Sequence, residues 1–271
     1  MQRPEYFEAT KWDRMVQRWQ DYTWEVIHEA PQGAFLHAAL DEVLVEEVAA
    51  GRRGPTIRFW EWSESGVIIG RFQSVKNEVE PVAAKKHNMH IVRRITGGGA
   101  MFVEPLNTLT YSIYAPEELV KGMSFVESYA FLDSWVVSAF RELGVDAYYE
   151  PINDIAQPGG KIGGAAQTRK NGAVLHHATI AYDMNPEKMV EVLRIGKEKL
   201  SDKGSVSAKK RVAPLKQQLQ MERAEVMAHL IASFTSQVPA VPSELTDAEL
   251  GRAERLADEK FASEEWQYLL P

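Results

Sequence analysis

Residues 56–72 read TIRFWEW, SES, GVIIGRF: two β-rich runs, Thr56–Trp62 and Gly66–Phe72, joined by Ser63-Glu64-Ser65. Branched and aromatic side chains on both sides of a short polar link predict a hairpin-like pair of strands. Upstream, Leu36, Leu40, Val43, Leu44 and Val48 share one helical stripe, with Gly51 past its end. Downstream, HIVRRI (residues 90–95) predicts a third strand running into Thr96-Gly97-Gly98-Gly99, and TLTYSIY from Thr108 a fourth. Strands that come in neighbouring pairs, without strict βαβ alternation, point to an α+β fold and away from a doubly wound sheet.

Further along, Ser124 and Glu127 form a capping box that opens a helix whose Leu132, Val136, Ala139 and Leu143 share a face, with Gly144 at its stop. AVLHHATIAYDM from Ala173 is strand-like. Helices are predicted from Pro186 to about Ile195 and from about Met221 to Ser233, and Thr246 with Glu249 opens a short terminal one. The chain has 271 residues, 45% hydrophobic and 25% charged, enough for a sizeable core without staples. No apolar run has the length of a membrane span, and MQRPEYFEATKWDR has no signal-like apolar segment. With no cysteine, disulfides, Cys-ligated metal and thiol nucleophiles are excluded. A net charge of −7 speaks against nucleic acid as the main partner. Lys197–Arg211 carries net +4 and is punctuated by Gly and Ser, a basic loop able to steer an acidic protein partner; Pro242–Trp266 carries net −5 and reads as solvated surface.

Two stretches can carry chemistry. Arg93-Arg94-Ile95-Thr96-Gly97-Gly98-Gly99-Ala100-Met101-Phe102 combines three glycines, which let a backbone approach an anion, with two arginines able to fork onto phosphate or carboxylate. A flexible turn beside a solvated Arg pair is the plainer reading, and spacing alone does not separate the two. Lys161, with two glycines on each side, reads as a loop lysine open from both directions, suited to neutralising developing negative charge. Asp154 is placed to hold a metal-bound nucleotide or to orient Lys161, the plainer reading being an Asx-turn residue. His176 and His177 point to opposite faces of a strand and read as half-buried structural histidines. Trp12, Trp19, Trp24, Trp60 and Trp62 read as core.

GVIIGRFQSVKNEV, RRITGGGAMF, NDI, GGKIGGAAQ, LHHATI and SVSAKKRV, in this order and approximate spacing, resemble the lipoate–protein ligase A family from about Thr23 to the terminal KFASEEW. The resemblance implies the fold of biotin and lipoate protein ligases, a mixed β-sheet domain flanked by helices. It divides the chain into an extension (1–22), a catalytic domain (23–240) and an acidic helical tail on the same domain (241–271). It implies ATP, lipoate, lipoyl-AMP and Mg2+, and transfer of the lipoyl group to a lysine of a carrier domain, of the 2-oxoacid dehydrogenase E2 or glycine cleavage H protein type. By the same resemblance Lys161 is catalytic, and Arg71, Arg94, Gly97, Gly98, Gly99, Ala100, Met101, Phe102, Asn153, Asp154 and Ala165 join it around the adenylate. A cytoplasmic protein without nucleic-acid or membrane partners is expected.

The sequence departs from the family at Val103-Glu104, where His-Asp is usual, and at Thr110, where Asn is usual. It resembles split ligases whose accessory domain is a separate subunit. Octanoyl or lipoyl transfer from a carrier protein is the alternative. The octanoyltransferases use a cysteine thioester, so this chain would act without that nucleophile. A silent binder of lipoyl domains is a third reading, against which stands the retained Lys161.

Overall fold

The computed structural model describes residue 1 and residues 9–194 and 212–271; the basic stretch Lys197–Arg211 lies outside the described residues. Its strands are β1 (Trp24–His28), β2 (Thr56–Trp60), β3 (Gly66–Ile69), β4 (His90–Arg93), β5 (Met101–Val103), β6 (Thr108–Pro116), β7 (Tyr148–Glu150), β8 (Asp154–Gln157), β9 (Gly160–Lys170), β10 (Ala173–Ala181) and β11 (Ala240–Pro242). An eight-stranded mixed sheet runs β11-β1-β2-β6-β10-β9-β8-β7, and a three-stranded sheet runs β4-β3-β5. One face of the large sheet carries the main core. Trp12, Met15 and Trp19 of α1 (Ala9–Gln20) meet Trp24, Phe59, Tyr111, Trp135 and Phe234 there. The expected α+β architecture, a mixed sheet flanked by helices, is the one observed.

Between the two sheets lies α2 (Ala34–Ala49), the predicted helix, buried nearly all round. Leu44, Val45 and Val48 pack with Tyr114 and Leu175 of the large sheet, while Leu40 and Val43 pack with Ile68, Val92 and Val103 of the small one. The stripe read from the sequence therefore serves two partners, as expected for a helix apolar on every side.

Three expectations are corrected. Thr56–Trp62 and Gly66–Phe72 do not pair as a hairpin. β2 has both edges filled by β1 and β6, and β3 has both filled by β4 and β5, so neither can receive the other. The Ser63-Glu64-Ser65 link instead caps α2: Gly33 has no side chain to offer, and Glu64 Oε1 accepts the Ala34 N–H at 2.8 Å. The helix opened by the Ser124/Glu127 box is interrupted at Asp133, giving Phe125–Leu132 and Ser134–Glu142. There the Asp133 carboxylate turns inward to Tyr111 Oη at 2.6 Å and His176 Nε2 at 2.7 Å. The glycine-framed Lys161 segment is strand β9 and not a loop, joined to β10 by the two-residue turn Asn171-Gly172 with φ of +52° and +85°.

The C-terminal segment closes the far side of α2. β11 adds parallel to β1, and the Thr246/Glu249 capping box opens the helix Asp247–Leu256 as read. Ala253, Ala257 and Phe261 then complete the cluster around Leu40 and Val43. Arg53 locks this arrangement, with Nε and Nη2 on the Glu249 carboxylate at 2.5 and 2.7 Å and Nη1 on Glu25 at 2.5 Å. Burial pushes the Glu249 carboxyl up, but the hydrogen bonds from Arg53 and Thr246 outweigh it and hold the carboxyl below its usual range. Its stabilisation is therefore present above about pH 4.3, the ordinary Glu value, and is lost as pH falls through the lowered folded value. Arg53→Ala strands two carboxylates and is expected to lower the unfolding free energy by about 3–5 kcal/mol, read as a shift in denaturant midpoint. A loss below about 1 kcal/mol would show that water replaces the guanidinium at little cost.

Candidate active site

A cleft opens where α2, the small sheet and the large sheet meet. Ala34, Ala38, Trp60, Trp62, Ile68 and Met101 form its apolar walls, and Asp41, Arg94, His177 and Thr179 its polar end. Its empty space, the part open to solvent included, is about 310 Å³. The indoles are fixed by their N–H groups, Trp60 on Ser112 Oγ at 3.0 Å and Trp62 on Thr110 Oγ1 at 3.3 Å. All five tryptophans are buried in the core as read, and Trp60 and Trp62 also wall the cleft. Thr110, one of the departures from the family pattern, supplies an anchor for Trp62. Of the other departures, Val103 is buried in the core and Glu104 pairs with Lys188.

The glycine turn lies between β4 and β5, above β9 and β10. Gly98, at φ +87°, occupies the left-handed region that favours glycine, and a Cβ there would lie 3.7 Å from that of Ala166. The expected Arg93–Arg94 fork is corrected, because both guanidiniums are occupied by the protein's own oxygens. Arg94 donates through Nη1 to Ile68 O (3.0 Å), through Nη2 to Gly97 O (2.6 Å) and Gly99 O (2.8 Å), and through Nε to Thr96 Oγ1 (2.9 Å). Arg93 donates to the carbonyls of Gly70, Arg71 and Gln73 on one side and of Trp266 and Gln267 on the other. Within a planar trans peptide the C=O and N–H point opposite ways. Drawing the Gly97 and Gly99 carbonyls onto Arg94 therefore turns the N–H groups of Gly98 and Ala100 away from it, and neither finds an acceptor among the described residues. Burial brings Arg94 down to about 10, so it is still cationic at neutral pH beneath those N–H groups. The turn thus presents two N–H groups above a buried charge, a backbone shape suited to an anion.

Lys161 lies on β9, the strand whose Ala166 faces Gly98 of the turn. Its Nζ lies 2.5 Å from Asp154 Oδ1, with 39% and 32% of the two side chains exposed. A Cβ on Gly164 would sit 2.7 Å from that Nζ, so the bare glycine gives the ammonium its place over the sheet. Gly164 is in register with Asp154 on one side and with the cleft residue Thr179 on the other. Asn153 holds β9 from the rim, donating Nδ2–H to Ala165 O at 2.5 Å and accepting the Ala165 N–H at 2.8 Å.

Of the residues read as a site, Arg94 and Met101 line the cleft; Gly98 faces Ala166 of β9, and Asp154 and Lys161 meet over Gly164, the ladder partner of the cleft residue Thr179. Phe102 and the side chain of Ala165 do not join them: each faces away from the cleft into a core cluster. Ala100 packs at the edge of the same cluster as Phe102. Arg71 is stacked on Trp266, 4.6 Å from guanidinium carbon to ring centroid, and its backbone N–H donates to Thr96 O at 2.8 Å. The histidines are fully buried, not half-buried: His176 pairs with Asp133 in the main core and His177 with Asp41 at the cleft. Asp41, Thr96 and Thr179 were not read as site residues. The signal for Asp41 was an acid between Leu40 and Leu44 on a buried stripe. Among the described residues no group of three or more His, Asp or Glu side chains is placed to hold a metal.

Two glycines allow a paired test. A Cβ on Gly70 would run into the carbonyl of Gly98, which is backbone, whereas one on Gly164 meets only the flexible end of Lys161. Gly70→Ala is expected to cost about 1–3 kcal/mol and Gly164→Ala less than about 1 kcal/mol, measured as thermal unfolding of the two variants side by side. Equal costs would contradict the close approach of the two loops.

The sequence profile of the lipoyl protein ligase A/B catalytic domain matches residues 34–235. An octanoyltransferase, LipM of Halalkalibacterium halodurans, is 28% identical over 274 residues, covering 91% of this chain and 99% of that one. Among solved structures, a bi-partite lipoate protein ligase from Thermoplasma acidophilum, described with its E2 lipoyl domain, is similar with a TM-score of 0.80 and 29% identity, covering 93% of this chain and 98% of that one. A lipoate-protein ligase A bound with ATP gives 0.77 and 27%, covering 91% and 98%. The fold is that of the lipoate ligases, and the chain belongs to the lipoyl protein ligase A/B catalytic-domain family.

Proposed function

We propose that this protein is a lipoyl/octanoyl transferase that passes the acyl group to a lysine of a lipoyl carrier domain without a cysteine nucleophile. The observation that carries this reading is the Lys161 ammonium, held by Asp154 over Gly164, whose ladder partner Thr179 lines the apolar cleft. Likeness to an octanoyltransferase over nearly the whole chain supports the reaction class, and likeness to a ligase described with its E2 lipoyl domain supports the acceptor.

The cleft takes the acyl chain. Burying its methylenes at about 0.8 kcal/mol each supplies on the order of 5 kcal/mol for an eight-carbon chain. The acceptor lysine attacks as the free amine. A C–N bond forms, the carbonyl oxygen becomes an oxyanion beside Lys161, and collapse breaks the bond to the leaving group while the nitrogen loses a proton. With no cysteine in the chain, the acyl group moves in one displacement and no thioester forms on the enzyme.

A second reading differs only in the donor. The chain would make lipoyl-AMP from lipoate and ATP, with Mg2+ entering as part of the nucleotide substrate, alone or with an accessory subunit. The Gly97–Gly99 turn suits the adenylate phosphate, and the likeness to a ligase bound with ATP supports it.

The test is the mass of an apo carrier domain after incubation with the protein and, separately, octanoyl thioester on a carrier protein, lipoyl-AMP, or lipoate with ATP and Mg2+. Transfer from the thioester is the expected result. Transfer from lipoyl-AMP but not from the thioester selects the second reading, and no transfer from any donor overturns both. Lys161→Ala is expected to slow transfer about a hundredfold with unchanged unfolding, the loss typical of one preorganised oxyanion partner. Wild-type rates in this variant would remove Lys161 from the chemistry.

A further inference from the structure

Arg94 is itself held, through a chain of polar groups that starts on α2. Asp41 is buried, and its Oδ1 accepts hydrogen bonds from Tyr114 Oη at 2.6 Å and Ser112 Oγ at 2.9 Å. Its Oδ2 lies 2.7 Å from His177 Nδ1, and His177 Nε2 lies 2.8 Å from Thr96 Oγ1, which is 2.9 Å from Arg94 Nε. Burial lowers the His177 pKa, so the ring is neutral and carries one hydrogen. The Asp41 carboxylate can only accept, so that hydrogen is on Nδ1 and the bare Nε2 accepts the Thr96 hydroxyl proton. Thr96 Oγ1 in turn accepts from Arg94 Nε–H.

We propose that Asp41 is a positioning residue for the donor site. Through His177 and Thr96 it fixes the Arg94 guanidinium, and Arg94 fixes the Gly97 and Gly99 carbonyls, so the turn is set before a donor arrives. The same chain reaches the acyl cleft, because Ser112 also receives the Trp60 N–H. The functional half of this inference rests on the acyl-transfer reading; the structural half does not.

Thr96 is the link at which the chain can be cut without changing shape. Thr96→Val keeps the volume and removes the hydroxyl, whereas Thr96→Ser keeps the hydroxyl and removes a methyl. Two readouts are compared: backbone order parameters of 15N-labelled Gly97–Gly99, and calorimetric affinity for a sulfamoyl analogue of lipoyl-AMP. Thr96→Val is expected to drop the order parameters from about 0.85 towards 0.6 and to weaken the analogue about tenfold or more. Thr96→Ser should restore most of both. Asp41→Asn should loosen the turn as Thr96→Val does. Asp133→Asn, which breaks the other buried Asp–His pair, should leave the turn rigid even where it lowers overall stability. A rigid turn in Thr96→Val with a loose one in Thr96→Ser overturns the proposal, since Thr96 would then only fill space. If the wild type does not bind the analogue, the lipoyl-AMP reading of the donor suffers, and the order parameters alone decide the role of Asp41.

Discussion

A helix enclosed on nearly every side must satisfy the charges it buries: in α2 Glu42 is met by Lys170 and Lys260, and Asp41 faces the large sheet. An unpaired carboxylate in such a place costs several kcal/mol. The large sheet answers it with Tyr114, Ser112 and His177, from two neighbouring strands. This requirement sets the rotation of the helix and the register of β6 against β10. It also places Ala34 and Ala38, small residues on the same helix, where a cleft can form opposite Trp60 and Trp62. The small sheet then closes the remaining side of the helix and brings its glycine turn down onto His177. The site lies at the junction of three layers because the polar groups of the helix need partners there.

Much of this was legible in the sequence because it is local. The Ser124/Glu127 and Thr246/Glu249 boxes, the α2 stripe and the strands before and after the triple glycine depend on residues a few positions apart, and all are found. Pairing between strands is not local. Thr56–Trp62 and Gly66–Phe72 look like a hairpin until the other strands that compete for their edges are known. The segment around Lys161 was read as a loop because glycine weakens strands in general. Here the missing side chain makes room for an ammonium above an otherwise regular ladder.

What the site motif does not reveal is which groups the arginines hold. The arginines beside the glycines suggested ligand contacts, yet each spends its donors on backbone carbonyls. The charge therefore acts through the shape and potential of the turn, which a motif cannot reveal. The absence of cysteine bears on chemistry in a comparable way. Under the proposed function, a one-step displacement asks the protein to hold donor and acceptor together, so positioning takes the place of a covalent intermediate.

Arg93 grips both the loop that carries Arg71 and the chain at Trp266 and Gln267 through main-chain oxygens. A carbonyl is the same whatever side chain follows it. Evolution is therefore free to rewrite Gln267 as long as the path of the chain is kept, while Trp266, whose indole donates to Arg93 O and stacks on Arg71, is read by identity. Relatives with unrelated letters in this segment can keep the same clasp, and one aromatic residue would mark it.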